Sequence, residues 1–281
     1  MSETDADPDG DDESASETGS ESDAESEMIS KQTIRNRVWD DLEESGIARF
    51  PFPPHDRIPN FAGADDAADR LADQPEWEEA ETIKANPDAP QLPVRRRALR
   101  DGKTLYMAVP RLRDERCFLE LDPAELTPEE YDPATTVSGI GEYGVQVGPE
   151  AVDRIDLIVS GSVAVTPEGG RIGKGEGYSD LEYAILRELG LVDDTTPVAT
   201  TVHERQLLES EGGGKREGEG KAEGESVEIE SHDVPMDLLV TPERVVRPDS
   251  RRKPTGLDWE ILEEERLEEI PVLQRLRQRA D

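Results

Sequence analysis

Two apolar runs that bracket a glycine-rich loop and a helix constrain this chain more than any other feature. Ile155 to Ser160 reads as a strand buried on both faces. A loop follows from Pro167 to Gly177. Leu181, Ile185, Leu186 and Leu189 then recur at helical spacing up to Gly190, and Val198 to Val202 reads as a second buried strand. Strand, loop, helix, strand in that order predicts a right-handed βαβ unit in a parallel sheet. Met236 to Val240 adds another strand, as does Thr104 to Val109 between the turn Asp101-Gly102 and Pro110. The expected fold class is α/β: a single domain, three-layered and Rossmann-like, with a mostly parallel central sheet flanked by helices. Ligands are expected at the C-terminal strand ends.

Outside that unit, Ile34, Val38, Leu42 and Ile47 predict a first helix, with Ser30 as N-cap and Gly46 as stop, before a loop forced by Pro51, Pro53 and Pro54. Ala64 to Leu71 reads as a second helix. Residues 1–28 are almost all Asp, Glu, Ser, Thr, Gly and Ala, and cannot bury enough apolar surface to offset the entropy of ordering, so a disordered acidic tail is expected. Residues 211–226 read as a flexible low-complexity insertion. The structured domain is expected over 29–248. Residues 249–281 read as a C-terminal helical extension, interrupted at Pro271.

Charge narrows the classes of function. Sixty-seven acids against 32 bases leave a formal charge of −35 in 281 residues. That field repels phosphate backbones, so no nucleic-acid partner is expected, although Arg95-Arg-Arg97 and Arg251-Arg-Lys253 are local exceptions. The acid excess recurs throughout the domain, as suits solubility in concentrated salt, and a halophilic source is the expectation. Cys117 is the only cysteine, so an internal disulfide is excluded; its apolar neighbours predict a buried thiol. No apolar run is long enough for a transmembrane helix and no signal-peptide pattern opens the chain, so a cytoplasmic protein is expected, without a membrane partner and monomeric. Trp39 and Trp77 are read as core residues, and His203 and His232 as structural.

The chemistry concentrates in Arg171-Ile-Gly173-Lys174-Gly175-Glu176-Gly177-Tyr178-Ser179-Asp180. Alternating glycines let backbone approach a ligand closely, the following helix offers unpaired N–H groups and a positive dipole end, and Arg171 and Lys174 add cationic charge. Together these make a polyphosphate cradle. The spacing fits neither a P-loop nor the Gly-x-Gly-x-x-Gly dinucleotide fingerprint, and a plain strand-to-helix turn stays open as the alternative.

Arg-x-Gly-x-Gly-x-Gly-Tyr-x-Asp after Asp156-Leu-Ile-Val159 resembles the signature of the 5-formyltetrahydrofolate cyclo-ligases, or methenyltetrahydrofolate synthetases. Lys31-x-x-x-Arg35 at the head of the first helix and His232-Asp233-Val-Pro-Met-Asp237-Leu-Leu-Val-Thr241 resemble two further blocks of that family, in order. Ser179 and Leu181 depart from its usual aromatic and arginine. Glu182-Tyr183, Asn86-Pro-Asp-x-Pro-Gln91 and Pro254-Thr-Gly256 look closer to the divergent methenyltetrahydrofolate synthetase domain-containing branch.

The resemblance implies an ATP- and Mg²⁺-dependent enzyme acting on a small-molecule folate. The formyl oxygen of 5-formyltetrahydrofolate is phosphorylated, N10 closes the ring, and phosphate leaves to give 5,10-methenyltetrahydrofolate. By the same resemblance Arg171 and Tyr178 are catalytic candidates. Lys31, Arg35, Arg171, Gly173, Lys174, Gly175, Gly177 and Tyr178 would bind nucleotide, and Asp180 and Asp233 would hold Mg²⁺. Glu81 is a candidate for the pterin, and Asp180 could instead cap its helix. The alternative function is a catalytically inactive relative serving as a nucleotide-binding or regulatory module.

Overall fold

The computed structural model describes residues 29–208, 227–249 and 252–280. The expected acidic tail, the insertion at 211–226 and Arg251 lie outside the described residues. Eight strands form the main sheet: β1 (Thr82–Ala85), β2 (Thr104–Ala108), β3 (Phe118–Leu121), β4 (Val145–Val147), β5 (Leu157–Val159), β6 (Val198–Thr201), β7 (Leu238–Val240) and β8 (Val245–Val246). Their spatial order is β8-β7-β6-β5-β1-β2-β3-β4. The neighbours from β7 to β2 run parallel. The edge strands β8, β3 and β4 pair antiparallel. The α/β class and the mostly parallel sheet are therefore as the sequence predicts.

Strand alternation produces three layers. Leu105, Met107, Leu157, Val159, Ala199, Leu238 and Val240 point to one face, under helices α2 (Ala64–Ala72) and α3 (Leu92–Arg100). Tyr106, Ala108, Ile158, Val198 and Leu239 point to the other, under α4 (Tyr178–Glu188) and α5 (Pro271–Ala280). The first helix, α1 (Lys31–Glu44), buries Ile34, Val38, Trp39 and Leu42 on one stripe, each stabilising by roughly 1.5–3 kcal/mol, and packs on the Val163, Ala164 and Ile172 region. Its N-cap is Ser30, whose hydroxyl accepts from the Thr33 N–H at 3.1 Å.

Several expectations shift. α4 starts at Tyr178, three residues before the first apolar residue of its pattern, because Gly177 at φ +69° turns the chain into it. The stretch from Pro167 to Gly177 is not all loop: Arg171–Ile172 pairs antiparallel with Ala164–Val165, closed by a turn in which Gly169 takes φ +86°. Residues 257–263 are not helical. The C-terminal segment is helical over Glu264–Glu269 and again in α5, and the break before Pro271 is as expected, since the ring disfavours helical Ile270. Arg95-Arg-Arg97 is no cationic patch. Arg95 is buried in α3, donating to the carbonyls of Thr135, Asn86 and Asp88, while Arg96 and Arg97 pair with acids.

Trp39 and Trp77 are core residues, as expected, each with its indole N–H bonded, to the Arg57 carbonyl and to Asp101. Cys117 lies fully in the core, where burial pushes its thiol up to about 12. Native protein at pH 8 is therefore expected to resist iodoacetamide while denatured protein alkylates quickly, which mass spectrometry of the two reactions checks. Among the described residues no helix is long and apolar enough to cross a membrane.

Candidate functional site

The glycine-rich segment sits at the C-terminal end of β5, as the α/β rule predicts. The Arg171 side chain is almost fully buried; it donates to the Gly161 carbonyl at 3.1 Å and pairs with the Asp180 carboxylate. Burial opposes its charge, yet Asp180 holds its pKa above the usual arginine value. A Cβ on Gly173 would come within 2.8 Å of Arg171 Nη1, so a side chain there would push the guanidinium off the Gly161 carbonyl. Gly175 at φ +105° and Gly177 at φ +69° complete the turn, in backbone regions that favour glycine.

α1 supplies two more cations, one helical turn apart. Arg35 Nε donates to the Gly173 carbonyl at 2.7 Å, and its guanidinium would lie 3.4 Å from a Cβ on Gly175. Burial, and after it the Arg171 charge, lower its pKa. Lys31 Nζ reaches Asp233 at 2.7 Å and Glu230 at 3.1 Å; burial opposes its charge, but these carboxylates raise its pKa. The Val234 N–H donates to Asp180 at 3.1 Å, which ties the segment carrying Asp233 to the head of α4. Lys31, Arg35, Arg171, Gly173, Gly175, Gly177, Tyr178, Asp180 and Asp233 thus converge, although they come from three separate stretches of chain. Lys174 lies further out, paired with Glu176 at 2.7 Å.

Two side chains occupy other places than expected. Asp180 is the third residue of α4, and the cap is Gly177. Glu81 is exposed at the N-terminal end of β1, on the sheet edge opposite the glycine loop, because its N–H and that of Thr82 bond Asp156. It cannot serve a ligand at the loop. His203 caps a short turn, accepting from the Arg205 N–H at 3.2 Å. His232, Glu230 and Asp233 offer ligand atoms within 4.8 Å of one another, and Lys31 bonds both carboxylates.

The sequence reading missed a polar chain beneath the loop. Lys84, on the α4 face of β1, is buried and ion-paired with buried Glu182 of α4. Its ammonium also donates to Asn86 at 2.7 Å; Asn86 reaches the Ser179 hydroxyl at 3.3 Å, and Ser179 reaches Ser160 at 3.3 Å. Ser179, one of the two departures from the family pattern, is the junction of that chain, and Leu181, the other, is a core residue. Asp88 stands beside Gly161, its carboxyl raised by burial. The available signal was Lys84 itself, a charge set between apolar neighbours.

Carboxylate oxygens of Asp180 and Asp233 are the hard donors that Mg²⁺ prefers. A Cβ on Gly173 or Gly175 would press on Arg171 or Arg35, so glycine lets both guanidiniums lie close to the loop, and the N-terminus of α4 adds its unpaired N–H groups. The residues present fit a magnesium–nucleotide complex.

A model of the 5-formyltetrahydrofolate cyclo-ligase family matches residues 27–211. The methenyltetrahydrofolate synthase domain-containing protein of Mus musculus is 42% identical over 252 residues, covering 89% of this chain and 64% of that protein. The human protein of the same name is 37% identical over 252 residues, covering 89% and 62%. The chain therefore spans just under two thirds of the length of these curated relatives. Among solved structures, 5,10-methenyltetrahydrofolate synthetase of Aquifex aeolicus aligns with a TM-score of 0.45 at 20% identity, covering 82% of this chain and 97% of that one.

Proposed function

The chain belongs to the 5-formyltetrahydrofolate cyclo-ligase family, and from that footing we propose that it converts 5-formyltetrahydrofolate to 5,10-methenyltetrahydrofolate with ATP and Mg²⁺. The observation that carries this reading is the convergence of Arg35 and Arg171 on a glycine loop at a helix N-terminus, with Asp180 and Asp233 alongside. Bound magnesium nucleotide would supply the phosphoryl group that turns the formyl oxygen into a leaving group.

The protein's own part is positional and electrostatic. Arg171, held from two sides by Gly161 and Asp180, presents a fixed positive charge that needs no reorganisation as negative charge builds up. Arg35 and Lys31 enter from α1, and Lys174 closes the outer rim. Gly173, Gly175, Gly177 and Tyr178 shape the cradle, with Arg171 and Tyr178 nearest the transfer, and Asp180 and Asp233 would hold the metal. The formal charge of −35 supports work as a monomer in the cytoplasm of a salt-accumulating cell.

The test is direct. Protein in high-potassium buffer with 5-formyltetrahydrofolate, Mg²⁺ and ATP is expected to raise the near-ultraviolet absorbance of the methenyl product only when ATP is present. No product, with ATP binding still seen by calorimetry, would instead make this chain a nucleotide-binding relative without the activity.

A further inference from the structure

Beyond the segment matched by the family model, the chain returns to the glycine loop along a defined route. Lys253 is anchored by Asp237 at 2.7 Å and by the Thr196 carbonyl at 2.7 Å. The Leu257 N–H donates to Glu188, at the far end of α4, at 2.9 Å. Nine residues later, Arg266 lies over Tyr178, the first residue of that helix, its guanidinium 5.1 Å from the ring centre. The segment has thus run the length of α4 against its direction, about 15 Å. Ile270, Val272 and Leu273 then fix it in the core.

Arg266 arrives where a cation is least expected. It stands at the positive end of α4, with Nη1 3.7 Å from where a Cβ on Gly177 would be, two residues along the loop from Gly175, which Arg35 approaches. Its hydrogen bond goes to the Glu176 carbonyl, and among the described residues no carboxylate lies within salt-bridge distance of it. Arg35 is in the same condition, bonded to the Gly173 carbonyl and to the amide oxygen of Gln32. In a chain with twice as many acids as bases, two arginines at one loop that form no ion pair among the described residues keep charge for an anion, with only Asp233 acting on Arg35 from further off.

We infer that Arg266 is a phosphate-binding residue, delivered by the C-terminal segment to the side of the glycine loop opposite α1, so that the loop's polyphosphate is gripped between Arg35 and Arg266. This rests on reading the loop as a polyphosphate site. Stacking on Tyr178 holds the guanidinium ready while leaving its charge unneutralised.

Calorimetric titration of the full chain with inorganic tripolyphosphate, at two potassium chloride concentrations, tests the assignment. Arg266→Gln is expected to weaken binding about tenfold and to flatten the salt dependence, since one fewer cation meets the anion. Arg266→Met, which keeps the stem packed on Tyr178 and drops the charge, is expected to match it and serves if the glutamine variant does not fold. Wild-type affinity in either variant overturns the inference, as does weakened binding with an unchanged salt slope, which would mark Arg266 as a structural strap. Both outcomes leave the loop reading intact. Wild-type protein that takes up no tripolyphosphate overturns the loop reading together with the inference.

Discussion

Arg171→Ala is expected to slow formation of the methenyl product roughly 10²–10³-fold and to lower stability by about 3–5 kcal/mol at the same time. The two losses have separate origins. Catalysis loses a charge fixed beside the cradle, and removing one such preorganised donor costs roughly 10²–10³ in rate. Stability falls because the Asp180 carboxylate, itself nearly buried, is left without its counter-charge and the Gly161 carbonyl without its donor. Arg171→Lys separates the two, since one ammonium cannot bond both partners as the guanidinium does. It should recover part of the stability and little of the rate. Urea unfolding alongside the absorbance assay measures both, and an alanine variant as stable and active as wild type would sink the role given to this residue.

Lys84→Met is expected to destabilise by a similar amount, about 3–5 kcal/mol, by leaving Glu182 charged and unpaired inside the protein. Glu182→Leu should do likewise. The double variant Lys84→Met, Glu182→Leu should return most of the stability, because two apolar side chains of similar volume then meet between β1 and α4. The pair is thus expected to matter less for stability than for the placement of Asn86 and Ser179, which depend on the Lys84 ammonium. A double variant that is stable but binds nucleotide poorly would bear this out; one as damaged as either single variant would contradict it.

The same pair explains why part of the fold was hidden from sequence. β5, β6, β7 and α4 were legible because their buried faces are written in Leu, Ile and Val with the right period. β1 was not, since Thr-Ile-Lys-Ala carries a polar residue at each position facing α4, and only the structure shows Glu182 waiting there. α3 was hidden by Pro93 and by three consecutive arginines that look like a surface patch; Arg95 is buried because it satisfies three carbonyls. β3 and β4 are short antiparallel returns, and β4 is mostly exposed. The site was largely readable along α1, the loop and Asp233, where residues of one chemistry cluster in sequence. Asn86, Ser179 and Arg266 were not, because they belong together only through the path of the chain.

That path has a consequence for how the protein comes off the ribosome. Lys31 bonds Glu230 and Asp233, about 200 residues away, and the core under α4 is closed by Ile270, Val272 and Leu273. Residues around Lys31 must therefore wait for those around Ile270 before the loop is enclosed. Ordering by such distant contacts is slow, and apolar strands stay uncovered in the meantime. A nascent chain of this kind gains from a surface that repels its neighbours, and the excess of 67 acids over 32 bases provides one throughout synthesis.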